Sequence, residues 1–380
     1  LLIVMLLCIL PLSDHYASFF REHKTIRFYS NPTFPIYSMG KYINQKIKSS
    51  AIPEFITLAS HAERPQADTH TELVVLIVGE TARSDHFFLN GYPRNTNPRL
   101  SLEKRLISYS NISACGTSTA ISVPCMFAFS GHEKFNPDEA DHTENILDVL
   151  KHAGVNILWR DNNSTSKGVA SRMKFEDYKS PALNTDCNME CRDTGMLVGL
   201  QDYVDSHTGD ILIVLHQMGS HGPAYFKRYP HVFEHFKPAC HSEELSECTS
   251  EEITNAYDNS ILYTDYFISK VIEFLKDNTP KYETTMFYVS DHGESLGENG
   301  LYLHGLPYLF APDAQIKVPV IAWIGDTSDI DYEKTLKLKA LPNSHDALFG
   351  TLLKTFEVVT DLYLSDQQPL VYIKDHYAKR

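Results

Sequence analysis

A series of short apolar runs, separated by helical patterns, constrains the fold of this chain most. The runs are rich in branched aliphatic and aromatic residues and predict buried strands. The predicted strands are Leu73–Val78, Val155–Trp159, Ile211–Leu215, Met286–Val289 and Val318–Ile324. Helical patterns lie between and after them, at Ile146–His152, Ile253–Phe274 and His345–Phe356. This alternation predicts an α/β fold, with a mostly parallel sheet covered by helices on both faces.

Polar segments follow four of these strands. Glu80-Thr81 comes after the first, residues 160–168 and 216–223 follow the next two, and Asp291-His292-Gly293-Glu294 follows the fourth. Because the carboxyl ends of parallel strands meet at one edge of a sheet, where ligands bind in open α/β folds, these segments are expected to form one site.

Residues 113–125 predict a rigid polar loop. Four hydroxyl residues and a glycine lie between Cys115 and Cys125, and a bridge between the two cysteines would hold them in place. A Ser or Thr hydroxyl is a weak nucleophile and needs a base or a metal ion beside it. The loop therefore predicts a nucleophile that depends on partners from elsewhere in the chain.

Glu80, Asp291 and His292 form a plausible ligand set for Zn²⁺, with Thr119 as a fourth ligand. Two carboxylates would balance the charge of the ion, which in turn would activate the hydroxyl. Phosphoryl transfer also needs donors around the phosphate. The candidates are Asn163, Lys167, His221 and His304.

Each candidate residue also has an ordinary structural interpretation. Thr119 is a common type of loop hydroxyl, and Glu80 or Asp291 could cap a helix or turn. His221 could serve only as a turn residue, and Lys167 could simply be solvated. The functional interpretation rests on their shared position at strand ends.

The cysteines and the net charge narrow the class of protein. Cys8 lies alone in an apolar run, whereas the other six cysteines form three close pairs, which predict local disulfides and an oxidising compartment. Metal binding by these cysteines is the alternative, but no pair has Cys-x-x-Cys spacing. The net charge of −14 argues against a nucleic-acid-binding protein.

The first 71 residues predict membrane association. Leu1–Leu12 is continuously apolar but too short to span a bilayer, so we expect the end of a transmembrane helix, with a signal-peptide core as the alternative. Residues 13–71 predict an interfacial and linker segment, because their first part is aromatic and basic. An ordinary amphipathic linker helix fits that part equally well. Residues 72–380 are expected to form the catalytic domain.

Five motifs together resemble the lipid A phosphoethanolamine transferases, a family that includes the mobile colistin-resistance enzymes. The resemblance extends from about Asp14 to Thr355. The motifs are VGETARSDH (Val78–His86), NGYPRNTNP (Asn90–Pro98), CGTSTA with VPCMF (Cys115–Phe127), GSHGP (Gly219–Pro223) and SDHGESLGE (Ser290–Glu298).

This resemblance implies an alkaline-phosphatase-like α/β/α fold in the periplasm, anchored to the bacterial inner membrane. It implies that Thr119 is the covalent nucleophile and that Glu80, Thr119, Asp291 and His292 bind one zinc ion. Phosphatidylethanolamine is the implied donor and lipid A the acceptor, which gives polymyxin resistance; the chain is expected to be a monomer. Asn163, Lys167, His221 and His304 are implied to bind the phosphoethanolamine group or a second zinc, while the role of Glu294 stays open. The implied disulfides are Cys115–Cys125, Cys187–Cys191 and Cys240–Cys248.

Three alternatives remain. The acceptor could be another periplasmic glycan, with phosphoethanolamine or phosphoglycerol transferred by the same chemistry. A metal-dependent phosphatase or sulfatase-type hydrolase is less favoured, because the sulfatase Cys/Ser-x-Pro-x-Arg motif is absent around Thr119. A sensor without activity is disfavoured because every proposed ligand is present.

Overall fold

The computed structural model describes residues 23–48, 54–64, 70–362 and 368–374. An eight-stranded sheet forms its centre, in the order β10-β2-β9-β6-β1-β5-β3-β4, and β7 and β8 form a separate pair. The strands are β1 (Glu72–Gly79), β2 (Leu106–Ser113), β3 (Asn156–Asp161), β4 (Lys174–Asp177), β5 (Ile211–His216), β6 (Glu283–Ser290), β7 (Ser295–Leu296), β8 (Tyr302–Leu303), β9 (Lys317–Ile324) and β10 (Asn343–Ser344).

The predicted mostly parallel sheet is confirmed. The neighbouring strands β6, β1, β5, β3 and β4 run parallel, and β9 pairs antiparallel with both β6 and β2. All five predicted strands are present, with bounds that differ by at most three residues at either end. The sequence interpretation missed β2 and β4. Both are exposed or half-buried at several positions and therefore lack a continuous apolar run.

Helices cover both faces of the sheet. They are α1 (Thr33–Lys48), α2 (Thr119–Phe127), α3 (Gly131–Lys134), α4 (Pro137–Ala140), α5 (Ile146–His152), α6 (Leu200–Asp205), α7 (Ser250–Asn278), α8 (Asp313–Ile316), α9 (Tyr332–Leu336) and α10 (Ala347–Thr355). The predicted helices correspond to α5, α7 and α10.

Two apolar cores separate the layers. Successive residues of β1 alternate between them, because side chains along a strand point to opposite faces. Val74, Leu76 and Val78 join the core beneath α2, α5 and α10, and Leu73, Val75 and Ile77 join the core beneath α6 and α7. The result is the α/β/α sandwich that the sequence predicted.

The N-terminal part is only partly described. The predicted end of a transmembrane helix at Leu1–Leu12 lies outside the described residues, as does the beginning of the predicted interfacial segment. Within that segment α1 exposes apolar side chains, among them Ile36, Tyr37 and Met39. In the ranges that the structure describes, every helix is too short or too polar to cross a bilayer.

Candidate functional site

The carboxyl ends of β1 and β6 bring two carboxylates together. Gly79 pairs with Ser290, so Glu80 and Asp291 each follow directly after a paired position. Thr81 adopts a left-handed backbone conformation with φ of 57°, which is unusual for a β-branched residue. Its backbone N–H donates to Asp291 Oδ1 at 3.1 Å, which holds the two strand ends in register.

Thr119 is the first residue of α2, which corrects the prediction of a loop over residues 113–125. Only residues 114–118 are irregular, and α2 starts immediately after them. Val123, Met126 and Phe127 are buried against the sheet, and this burial stabilises a helix that contains Pro124. Among the described residues, no group accepts a hydrogen bond from the backbone N–H of Thr119 or Ala120.

The four side chains predicted to bind zinc lie together. Thr119 Oγ1 donates to Glu80 Oε2 at 3.0 Å and lies 3.4 Å from His292 Nε2. His292 Nε2 is 3.6 Å from Glu80 Oε1 and 3.4 Å from Asp291 Oδ2. Both carboxylates and the imidazole are fully buried, and Thr119 is 9% exposed. One ion could therefore contact ligand atoms from three different segments of the chain.

The two carboxylates have opposite pKa shifts. Burial raises the pKa of Glu80, but the nearby charges of His221, His292 and His304 outweigh this and bring it below its ordinary value. Burial raises the pKa of Asp291, and the negative charge of Glu80 raises it further. Two anions at this separation in a buried site repel each other, which favours a cation between them.

Hydrogen bonding around His292 and Asp291 also fits a metal ion. His292 Nδ1 lies 2.9 Å from the carbonyl oxygen of Gly293, which can only accept, so Nδ1 carries a proton and Nε2 is directed at the carboxylates. Asp291 Oδ2 is buried and has no hydrogen-bond partner among the described residues. In the neutral ring the lone pair of Nε2 would face carboxylate oxygens, an arrangement that a bound cation stabilises. An imidazole, two carboxylates and a hydroxyl are suitable zinc ligands.

Of the predicted phosphate-binding residues, Asn163 reaches the site and Lys167 does not. Asn163 Nδ2 donates to Glu80 Oε2 at 2.6 Å and to the Gln217 carbonyl at 2.8 Å. The Lys167 ammonium donates to the Ser164 hydroxyl instead. Within the described ranges it makes no contact with Glu80 or Thr119.

His304 and His221 border the site on one side. The ring centroid of His304 lies 4.3 Å from that of His292 and 5.7 Å from that of His221. Burial lowers the pKa of His304, but the carboxylate of Glu294 outweighs this and raises it above its ordinary value. Burial lowers the pKa of His221. Two imidazoles of different basicity therefore lie beside the zinc-ligand candidates.

Glu294, whose role the sequence left open, orients His304. Its Oε2 lies 2.7 Å from His304 Nδ1, and its Oε1 accepts from the Tyr225 hydroxyl at 2.8 Å. The sequence interpretation missed Tyr225, which lies just after the GSHGP motif. Proximity to that motif was the only available signal.

Asp193 holds the segment that carries His221, and the sequence interpretation missed it. The carboxylate accepts from the backbone N–H of Met218 at 2.8 Å and of Gly219 at 3.1 Å, and from the Gln217 side chain at 3.3 Å. Asp193 lies two residues after the Cys187–Cys191 disulfide, in a stretch with no strand or helix pattern. Nothing in the sequence linked it to the site.

His345, predicted only as the start of a helix, joins three segments beneath the site. Its Nδ1 accepts from the backbone N–H of Cys115 at 3.1 Å, and its Nε2 donates to the Ser290 carbonyl at 2.9 Å. This pattern requires a neutral ring, and burial lowers the pKa of His345 to about 3. The residue fixes the start of the Thr119 segment relative to the end of β6.

Three disulfides are present, Cys115–Cys125, Cys187–Cys191 and Cys240–Cys248. They are the pairs implied by the resemblance. The first links the segment before Thr119 to α2 and so restrains the predicted nucleophile from both sides. Three disulfides fit an oxidising compartment.

Two family models match this chain. The sulfatase model matches residues 72–358, and a phosphoethanolamine transferase EptA/EptB model matches residues 1–47. The phosphatidylethanolamine transferase Mcr-2 of Escherichia coli is 49% identical over 368 residues, which cover 94% of this chain and 68% of that protein. The two family models together cover residues 1–47 and 72–358, and the second range contains the site.

Solved structures show the same fold. The soluble domain of lipooligosaccharide phosphoethanolamine transferase A from Neisseria meningitidis superposes with a TM-score of 0.79 at 36% identity, covering 82% of this chain and 96% of that domain. The integral membrane form of that protein gives a TM-score of 0.80 at 34% identity, covering 94% of this chain and 67% of that protein.

Proposed function

The chain belongs to the family of phosphoethanolamine transferases of the Mcr and EptA type, and we propose that it transfers phosphoethanolamine from phosphatidylethanolamine to a phosphate of lipid A. The observation that carries this proposal is the position of the Thr119 hydroxyl. It lies at a helix N-terminus, 3.0 Å from a buried carboxylate and 3.4 Å from a buried imidazole. A nucleophile, a proton acceptor and a phosphate-binding helix end thus coincide.

Glu80, Thr119, Asp291 and His292 would hold a zinc ion. When bound, zinc would lower the pKa of the Thr119 hydroxyl and stabilise charge on the phosphate oxygens. The unpartnered Asp291 Oδ2 and the inward-directed His292 Nε2 support this ligand set. His221 and His304 are proposed to bind the phosphoethanolamine group or a second zinc.

In the first half of the reaction, Thr119 Oγ1 attacks the phosphorus of phosphatidylethanolamine. The Oγ1–P bond forms, the bond from phosphorus to the diacylglycerol oxygen breaks, and Glu80 Oε2 accepts the hydroxyl proton. His304, whose pKa is raised, is suited to give a proton to the leaving oxygen. The N–H groups at the start of α2, which have no acceptor among the described residues, bind phosphate oxygens. The Asn163 amide, which donates both of its protons to Glu80 and the Gln217 carbonyl, orients Glu80 beside them.

In the second half, a phosphate oxygen of lipid A attacks the phosphothreonine ester. The new P–O bond produces a diphosphate that carries ethanolamine, and Thr119 Oγ1 leaves and recovers its proton. The added ammonium group reduces the negative charge of lipid A. Cationic polymyxins, colistin included, would bind the modified surface less tightly, which would confer resistance.

The proposed reaction takes place in the periplasm, at the surface of the inner membrane. Residues 72–380 would form a periplasmic catalytic domain, residues 1–12 the end of a transmembrane helix and residues 13–71 an interfacial linker in the bacterial inner membrane. The EptA/EptB match over residues 1–47 and the three disulfides support this arrangement. We propose a monomer.

A transferase acting on another periplasmic glycan would use the same donor and nucleophile. The sulfatase match over residues 72–358 keeps a hydrolase as the second candidate. Incubation of the full chain with phosphatidylethanolamine, and with lipid A or periplasmic glucan as acceptor, distinguishes the three. The proposal predicts a lipid A product heavier by one phosphoethanolamine, absent with Thr119→Ala. Modified glucan would indicate the other acceptor, and free ethanolamine phosphate without an acceptor product would indicate a hydrolase.

A further inference from the structure

A short uncharged loop near the site presents two apolar side chains to solvent. Residues 305–312, between His304 and α8, contain no charged side chain, although the whole chain has a net charge of −14. Leu309 is 86% exposed and Phe310 is 74% exposed. We call these two residues the loop tip.

Hydrogen bonds and a ring contact define the conformation of the loop that carries the loop tip. Tyr308–Phe310 forms a 3₁₀ turn, in which the Phe310 N–H donates to the Pro307 carbonyl at 2.9 Å. The Tyr308 ring lies 4.3 Å from the ring of His132, and the Leu306 N–H donates to Gln315 Oε1 at 3.3 Å. Full burial of a leucine or phenylalanine side chain is worth roughly 1.5–3 kcal/mol, so two adjacent apolar side chains on an uncharged loop would gain free energy by entering an apolar phase.

The same loop forms one wall of a groove next to the nucleophile. The groove is lined by Gly116, Thr117 and Ile121 on one side and by Leu306, Pro307 and Tyr308 on the other. The Thr117 hydroxyl donates to the Leu306 carbonyl at 2.5 Å and joins the walls. The groove volume, about 380 Å³, is in the range of small-molecule sites.

If the donor is a phospholipid, the protein surface beside Thr119 has to contact the bilayer. The phosphorus of a phospholipid has to reach Thr119, which is only 9% exposed, while its acyl chains stay in the bilayer. Ser118 and Ile121, which lie on either side of Thr119 in the chain, line the groove, and Ile121 is itself 38% exposed. An uncharged apolar tip at this groove can enter a bilayer without repulsion from anionic headgroups, whereas most of this acidic protein surface cannot.

We propose that Leu309 and Phe310 insert into the phospholipid bilayer and hold the groove beside Thr119 against the membrane surface. This proposal rests on the proposed function, since it assumes a lipid donor. The loop of residues 305–312 is then the surface that docks on the bilayer and brings a lipid to Thr119.

Quenching by brominated lipids tests the insertion directly. Trp159 and Trp323 are buried, so a new tryptophan would report on its own surroundings. The full chain is reconstituted into phosphatidylethanolamine and phosphatidylglycerol vesicles as Leu309→Trp or as the matched control Leu102→Trp. Leu102 is 83% exposed and lies beside Trp323 and Ile324, near the opposite edge of the sheet. The proposal expects strong quenching at position 309 and none above background at position 102. Equal quenching at both positions, or none at 309, would overturn it.

A kinetic comparison tests the role in catalysis. In Leu309→Ser/Phe310→Ser, the apparent KM for phosphatidylethanolamine in vesicles should rise roughly tenfold, because apolar transfer into the bilayer is lost. Formation of the Thr119 adduct from a water-soluble dihexanoyl phosphatidylethanolamine, measured without lipid A, should be unchanged, and Leu102→Ser should match the wild type with both donors.

Three other outcomes of these experiments separate membrane insertion from the alternatives. Equal loss with both donors would overturn the proposal, because the loop tip would then shape the site itself. A change from dimer to monomer in the double variant, without quenching at position 309, would overturn it in favour of a second copy as the partner. If the wild type used neither donor, the proposed function would fail, whereas the quenching result would still decide on insertion.

Discussion

At the scale of single residues, Asp291 carries the clearest signal for a metal ion. Within the described ranges its Oδ2 is buried without a hydrogen-bond partner, and its other oxygen accepts from the backbone N–H groups of Thr81 and His292. The residue is thus oriented by neutral donors and held next to a second carboxylate. Such an arrangement stabilises a bound cation and destabilises the protein without one.

Asp291→Asn should weaken zinc binding by roughly 100-fold or more, because it removes a charged ligand. Zinc per chain is measured after equilibration with a competing chelator. Asp265→Asn is the control, since that buried carboxylate lies away from the zinc-ligand candidates and accepts from the backbone N–H groups of Arg99 and Leu100. Equal zinc retention by both variants would contradict the ligand assignment.

His345 predicts how stability depends on pH. Burial lowers its pKa to about 3 in the folded protein, whereas the ordinary value is 6.5. A depressed pKa means that the unfolded state binds the proton more readily, so this contribution to stability is complete above about pH 6.5 and is lost as the pH falls. Between pH 7 and pH 5 the loss is about 2 kcal/mol.

His345→Asn keeps an acceptor for the Cys115 N–H but cannot titrate. Denaturant unfolding of the variant should therefore show a decrease between pH 7 and pH 5 that is about 2 kcal/mol smaller than in the wild type. Parallel pH profiles for the two proteins would show that another group causes the acid sensitivity.

At the scale of secondary structure, the sequence predicted the strands with continuous apolar runs and the cluster at their carboxyl ends. It failed at α2, because Thr119, Ser122 and Pro124 are typical of loops and only contacts with the sheet reveal the helix. The hydrogen bond from Lys167 to Ser164 depends on a local turn that the sequence does not reveal, and its role in binding phosphoethanolamine stays a prediction. Asp193 and His345 were missed because their partners are distant in sequence.

The segment after β5 depends on Asp193. In Asp193→Asn, an amide NH₂ or a weaker carbonyl acceptor would face the N–H groups of Met218 and Gly219, which should destabilise the fold by about 1–3 kcal/mol. His221 would shift with this segment. The transfer rate should fall while zinc content stays at one per chain, because none of the four zinc-ligand candidates is altered. Loss of zinc together with activity would show a general disruption instead.

At the scale of the whole molecule, two of the disulfides stabilise the fold to a similar extent but differ in their distance from the nucleophile. Cys115–Cys125 spans 10 residues beside the nucleophile, and Cys240–Cys248 spans 8 residues and lies next to the start of α7. Replacing either pair by alanine should lower the unfolding free energy by about 2–3 kcal/mol, since loop length sets the entropy of the unfolded chain. Only loss of Cys115–Cys125 should also lower the transfer rate. Equal transfer rates for the two variants would contradict a positioning role for this disulfide.

The central claim is that Thr119 becomes covalently modified during transfer. Intact-mass measurement of the full chain, incubated with phosphatidylethanolamine and no acceptor, tests it most directly. We predict a gain of one phosphoethanolamine that maps to the peptide containing Thr119, disappears when lipid A is added, and does not form in Thr119→Ala. Transfer to lipid A that persists in Thr119→Ala, or an adduct on another residue, would contradict it.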